Sequence, residues 1–98
     1  MSKEKIIYFI YAEKCKECEN MRNILEIAIR ESNLDIIIED VNSDTERAIR
    51  LSIDNNIDDL PGCIIGKYSY CGKDPYSLNG IIEAIERTWK KNVNNSQL

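Results

Sequence analysis

With 98 residues, 43% of them apolar, the chain suffices for one domain with one modest core and leaves no room for a second. A formal net charge of −4, with both signs interspersed, argues against nucleic acid as the main partner and offers no polybasic stretch for an anionic membrane. There is no histidine, so a Ser-His-Asp triad, a Cys-His protease pair and His-containing zinc sites are excluded together.

The chain opens on a charged stretch, Met1-Ser2-Lys3-Glu4-Lys5. The apolar run Ile6 to Tyr11 is too short for a signal peptide or for a bilayer span, so a cytoplasmic protein without a membrane partner is expected. Structural disulfides are disfavoured in that compartment, and four cysteines there point to redox or metal chemistry.

Lys5 to Tyr11 is β-branched and aromatic and predicts a buried strand. Ala12-Glu13-Lys14 is a short connection. From Cys15 to about Ser32 the period becomes helical, with Cys18, Met21, Leu25, Ala28 and Ile29 on one face and Glu19, Arg22, Glu26 and Arg30 opposite. Asn33 is a helix stop. Leu34 to Val41, with Ile36-Ile37-Ile38 unbroken, predicts a second strand buried on both faces, as in a parallel pair. Ser43 or Asp44 is expected to cap a helix over 45–55, with Ala48, Ile49, Leu51 and Ile53 on its apolar side. Asn55-Asn56 ends it.

Residues 57–62 are non-helical. Cys63 to Ile65 and Ser69 to Cys71 predict a hairpin around Gly66-Lys67. Asp74-Pro75 reads as the start of a last helix, with Leu78, Ile81, Ile82, Ile85 and Trp89 as its apolar stripe. The order is β-α-β-α-β-β-α, an α/β fold with a four-stranded mixed central sheet flanked by helices. One domain is expected over 1–91, with 92–98 as a polar tail.

Cys15 and Cys18 fall at the junction of first strand and first helix. Unpaired backbone N–H groups and the positive dipole end stabilise a thiolate there, and the thiolate is the reactive form. Three-residue spacing lets the sulfurs bridge without unwinding the helix. Cys15, at the tip, is expected to attack, and Cys18, one turn in on the apolar face, to resolve. A C-x-x-C beside a βαβ pattern is a redox signal, although half a zinc site looks the same. Lys14 and Lys16 favour the thiolate, and Glu13, Glu17 and Glu19 oppose it.

These motifs resemble those of thioredoxins and glutaredoxins from about Lys5 to Trp89. Tyr11-Ala12-Glu13-Lys14-Cys15 is similar to the thioredoxin lead-in Trp-Ala-Glu-Trp-Cys. Asp40-Val41-Asn42 is similar to that family's Asp-Val-Asp, and Asn56 to Pro61 resembles its Gly-Val-x-x-x-Pro segment. The resemblance implies a thioredoxin-like fold and a cis Leu60–Pro61 peptide facing the C-x-x-C. It implies that Leu60 presents its backbone to an extended substrate and that Pro61 keeps metals off the thiols. Lys14, Lys16, Leu60, Pro61, Gly72 and Asp74 would meet the substrate.

The chain departs from the family at three points. Lys14 replaces the Trp, and Lys16-Glu17 replace Gly-Pro. The glutaredoxin Cys-Pro-Tyr-Cys core is absent. Phe9 stands where thioredoxins carry a buried carboxylate, so proton transfer to Cys18 would rely on Glu13, Glu17, water or a substrate group.

Ile65-Gly66-Lys67 and Tyr70-Cys71-Gly72-Lys73-Asp74 are similar to the glutaredoxin segment that binds the γ-glutamyl end of glutathione. Asp59 stands where that family's Thr-Val-Pro begins and would repel a glutathione carboxylate. Glutathione is therefore one candidate reductant, and a thioredoxin reductase-type flavoprotein is another, with no cofactor bound. The function expected is reduction of disulfides in proteins or small molecules by a monomeric dithiol enzyme. Alternatives are a metal module (four-cysteine zinc, or an iron–sulfur cluster bridging two copies) and a non-catalytic adaptor.

Cys63 and Cys71, with a loop at 66–68, would fall opposite one another and could bridge. Small core hydrophobes are the preferred reading. The Tyr68, Tyr70 and Tyr76 cluster is read as packing, with a substrate groove as the alternative.

Overall fold

A computed structural model describes residues 4–72 and 76–90. Asp74, Pro75 and the polar tail 92–98 lie outside the described residues. Seven elements follow the expected order: β1 Lys5–Tyr11, α1 Lys16–Ser32, β2 Ile36–Asn42, α2 Glu46–Asn55, β3 Gly62–Ile65, β4 Tyr68–Cys71 and α3 Leu78–Trp89.

The strands form one mixed sheet in the order β2-β1-β3-β4. β1 runs parallel to β2, with Phe9 beside Asp40, and antiparallel to β3, with Ile10 beside Gly62. Strand alternation sends Ile7 and Phe9 to one face, where they pack with Cys18, Met21, Leu25 and Ala28 of α1 and Ile81, Ala84 and Ile85 of α3. Ile10 and Val41 point to the other face and pack with Ala48 of α2 and Ile57. The α1/α3 face is tied at its far end by Ser32. Its hydroxyl donates to the Ile29 carbonyl at 2.7 Å and accepts the Leu34 N–H at 3.1 Å, while its carbonyl accepts from Lys90 Nζ at 2.7 Å.

Each helix start differs from the expected one by a short step, for one reason. The cap is the residue whose side chain reaches the third N–H beyond it. Cys15 caps α1 rather than belonging to it. Thr45, not Ser43 or Asp44, caps α2 by accepting from the Ala48 N–H at 3.1 Å. Ser77 caps α3 by accepting from the Gly80 N–H at 3.1 Å, so this helix starts at Leu78 rather than at Asp74-Pro75. Asn33 and Asn56 end α1 and α2 in the left-handed conformation, at φ 60° and 58°.

Two burial expectations are corrected. β2 is an edge strand, so the run Ile36-Ile37-Ile38 is not buried on both faces, and Ile37 is 47% exposed. α2 packs through Ala48 alone among its fully buried residues, and Ile49 and Ile53 stand exposed instead of closing its apolar side. Among the described residues a single helix covers this side, whereas two cover the other.

Candidate active site

The sulfur pair is built by the turn that joins β1 to α1. Lys14 takes a left-handed φ of 56°, uncommon for a residue with a β-carbon, and this turns the chain into the extended backbone of Cys15. Cys15 Sγ then accepts the Cys18 N–H at 3.1 Å, the position a serine or aspartate oxygen takes in an ordinary cap. The sulfur thus sits on an unpaired helix N–H at the positive end of the dipole, where a thiolate is favoured. Cys15 and Cys18 form a disulfide, with Cα atoms 5.2 Å apart. Cys15 is half-buried and Cys18 is 4% exposed. The outer sulfur is the one an incoming sulfur can reach.

Both cysteines line an open cleft of about 450 Å³. Phe9 and Tyr11, stacked at 6.4 Å between centroids, contribute its apolar wall. Its charged groups are Glu13 and Lys14 from the connecting turn, Glu19 and Arg22 from α1, and Asp40 from β2. Arg22 grips Asp40 with two bonds, Nε to Oδ1 and Nη2 to Oδ2, both 2.9 Å, and also donates to Glu26. The carboxylate raises the arginine's already high pKa further, chiefly through these bonds to Asp40.

Of the described residues expected to meet substrate, only Lys14 lines this cleft. Lys16 is exposed in the first turn of α1 outside it. Glu17, an expected proton acceptor, is also outside it, and its charge acts on Tyr76 instead.

Leu60, Pro61 and Gly72 form a second group. The Leu60–Pro61 peptide is cis. Because Ile10 lies beside Gly62, Pro61 stands at the C-terminal end of β1, the end from which the chain runs on to Cys15. Gly72 abuts the same peptide: a β-carbon there would come within 2.8 Å of the Leu60 carbonyl carbon and 3.2 Å of Pro61 Cδ. Leu60 also borders a cavity of about 520 Å³ on the α2 face, shared with Ile10, Ala48, Ile53 and Ile57. Ile49 and Ile53, expected on the apolar side of α2, border this cavity instead of filling a core.

Cys63 and Cys71 are not opposite one another. The hairpin closes with Ile65 beside Tyr68, so the loop is Gly66-Lys67, two residues rather than three. That places Cys63 beside Tyr70 and Cys71 beside Gly62. The one-residue difference sends the sulfurs to opposite faces, Cys63 to the α1/α3 core and Cys71 to the α2 side. Both are buried and outside any disulfide, as the core reading expects. Burial pushes the Cys63 thiol up to about 12, a backbone hydrogen bond from Tyr70 opposing weakly. The Cys71 thiol donates to Asp58 Oδ1 at 3.7 Å. A zinc site using all four cysteines is therefore ruled out by the sheet, which separates two of them. Among the described residues, no three His, Cys, Asp or Glu side chains stand close enough to hold a metal ion. Tyr68, Tyr70 and Tyr76 pack against the main core.

No family model matches the chain, and no curated protein does. Solved structures do. An uncharacterised thioredoxin-like protein from Clostridium perfringens superposes with a TM-score of 0.71 at 18% identity, covering 93% of this chain and 75% of that one. Thioredoxin 1 from Thermosipho africanus gives 0.60 at 20% identity, covering 92% and 98%. Thioredoxin-2 of a malaria parasite, described as a component of protein secretion machinery, gives 0.58 at 20% identity, covering 89% and 85%. The fold is the thioredoxin fold, with a disulfide-forming C-x-x-C at the first helix of its described residues.

Proposed function

We propose that this thioredoxin-fold chain is a dithiol–disulfide oxidoreductase that reduces disulfides in proteins or small molecules through Cys15 and Cys18. The observation that carries the reading is the asymmetry of the pair. One sulfur is reachable and seated on a helix-terminal N–H, and the other is buried one turn behind it.

In the reduced protein the Cys15 thiolate attacks one sulfur of the substrate disulfide. A Cys15–substrate bond forms, and the first substrate thiolate leaves and takes a proton. Cys18 then loses its proton and attacks Cys15 Sγ. The Cys15–Cys18 bond forms, and the second substrate thiolate departs. Two electrons pass from the dithiol to the substrate, and the protein is left with the bridge seen here. Leu60 and Gly72 at the end of β1 would offer backbone to an extended substrate, and Lys14 would border its path. Asp74 is kept as a substrate contact on the sequence resemblance alone. A flavoprotein reductase of the thioredoxin reductase type, or glutathione, would return the electrons. The protein would act as a cytoplasmic monomer. No helix among the described residues is long and apolar enough to cross a membrane.

The test is trapping. Cys18→Ser should hold a protein substrate on Cys15 as a mixed disulfide that survives denaturing electrophoresis and is released by reductant. Cys15→Ser should trap nothing. Equal trapping by both variants, or by neither, would refute the assignment. Full function of Cys15→Ser in a cellular complementation assay would favour a non-catalytic adaptor.

A further inference from the structure

Resolution by Cys18 requires its thiolate, and Cys18 is buried. Burial in apolar surroundings disfavours that anion. Some group on the cleft side must offset the penalty. From the structure we infer that Arg22, held in place by Asp40, supplies the positive charge that stabilises the Cys18 thiolate. The inference rests on the dithiol reading above.

Three observations support it. Arg22 follows Cys18 by one helical turn, so the two side chains are stacked neighbours on α1, with β-carbons about 6 Å apart. The guanidinium is shared between two carboxylates, Asp40 of β2 and Glu26 one turn further along α1. Both residues line the same cleft. Asp40 points to the α1 side of the sheet with Ile36 and Ile38, the positions two and four before it in β2. Its two bonds to Arg22 fix the arginine laterally. Asp40 is thus a positioning residue that also offsets part of the charge it holds.

The other groups around Cys18 do not replace this cation. Lys14, next to Cys15, is exposed, and Glu13, Glu19 and the Arg22-bonded Glu26 are exposed anions that oppose a thiolate. On the core side, Cys63 and Tyr76 belong to the same packed cluster and stay neutral, since burial pushes both upward.

During resolution the Cys18 proton leaves through the cleft to solvent and the Cys18–Cys15 bond forms. The Cys15–substrate bond breaks and the departing thiolate carries away the electron pair. Arg22 acts before bond formation, by raising the fraction of Cys18 already ionised.

The experiment is a pH titration of Cys18 alone. Cys15→Ser removes the partner sulfur. Ultraviolet thiolate absorbance, taken as the difference from Cys15→Ser/Cys18→Ser at each pH, reads Cys18. Adding Arg22→Gln should raise its midpoint by about one unit, roughly a tenfold loss of thiolate near neutral pH. Arg22→Lys should recover at least half of that shift. Adding Asp40→Asn should move the midpoint down, because it removes one of the two carboxylates that offset the arginine, leaving Glu26. If Arg22→Gln does not fold by circular dichroism, Asp40→Asn carries the test alone. An unchanged midpoint in whichever variants fold, or an upward move in Asp40→Asn, overturns the inference. The titration needs no substrate, so failure of the wild-type protein to reduce any disulfide would sink the functional reading separately.

Discussion

Gly72 lies against the Leu60 carbonyl so closely that no side chain fits between them: a β-carbon on Gly72 would overlap the Leu60 oxygen. The neighbour is backbone, which cannot swing aside as a side chain end could. Gly72→Ala should therefore cost about 1–3 kcal/mol of stability by overpacking. It should also slow disulfide reduction by more than its effect on folding explains, because it displaces the backbone proposed to receive substrate. Urea unfolding and single-turnover reduction, measured on the same variant, check both.

Cys63 gives the fold a dependence on alkaline pH. The folded protein holds this thiol proton up to about pH 12, against an ordinary value of 9.0. Above the ordinary value the unfolded chain sheds the proton while the folded chain keeps it. Stability from this group is complete below pH 9 and falls as pH rises from there toward 12. Tyr70 and Tyr76, also raised by burial, act in the same direction. Cys63→Ala should cost about 1 kcal/mol near neutral pH through lost packing, yet lose less on going to alkaline pH than the parent does. Urea midpoints of the oxidised proteins, where Cys15 and Cys18 do not titrate, give the comparison. In native buffer Cys63 should resist alkylation that succeeds once the protein is unfolded.

On α2, polarity matters less than the cap. Thr45 Oγ1 accepts from the Ala48 N–H and donates to the Asn42 carbonyl at 2.7 Å, joining the helix start to the end of β2. Thr45→Ala should destabilise the protein by about 1 kcal/mol. Ile53, 71% exposed, should accept Gln within about 0.5 kcal/mol. Thermal unfolding of the two variants checks the ordering, which a reading of α2 as an apolar-faced helix would reverse.

Much of this was legible in the residues because the local signals agreed. The β-branched run of β1, the three-four spacing of α1 and the Asn33 and Asn56 stops each specify one outcome. The C-x-x-C was legible because strand, turn and helix are contiguous in sequence. What could not be read depends on position in three dimensions. Ile36-Ile37-Ile38 has the composition of a central strand, and only the sheet order makes β2 an edge. Ile49 and Ile53 have helical spacing, but spacing does not say whether anything packs against that face. The Cys63 and Cys71 error came from one residue of loop length, which inverts every side chain beyond it. The Arg22–Asp40 pair joins residues 18 apart in sequence, and no pattern along the chain announces it.

The central claim is that Cys15 and Cys18 interconvert reversibly between dithiol and disulfide while Cys63 and Cys71 remain thiols. Equilibrating the native protein in graded redox buffers, then blocking free thiols and locating them by mass spectrometry, tests it directly. The account predicts one two-electron transition confined to Cys15 and Cys18, absent when either is replaced by serine. Oxidation spreading to Cys63 or Cys71 in the folded protein, or thiols that resist titration and release bound metal on denaturation, would contradict it.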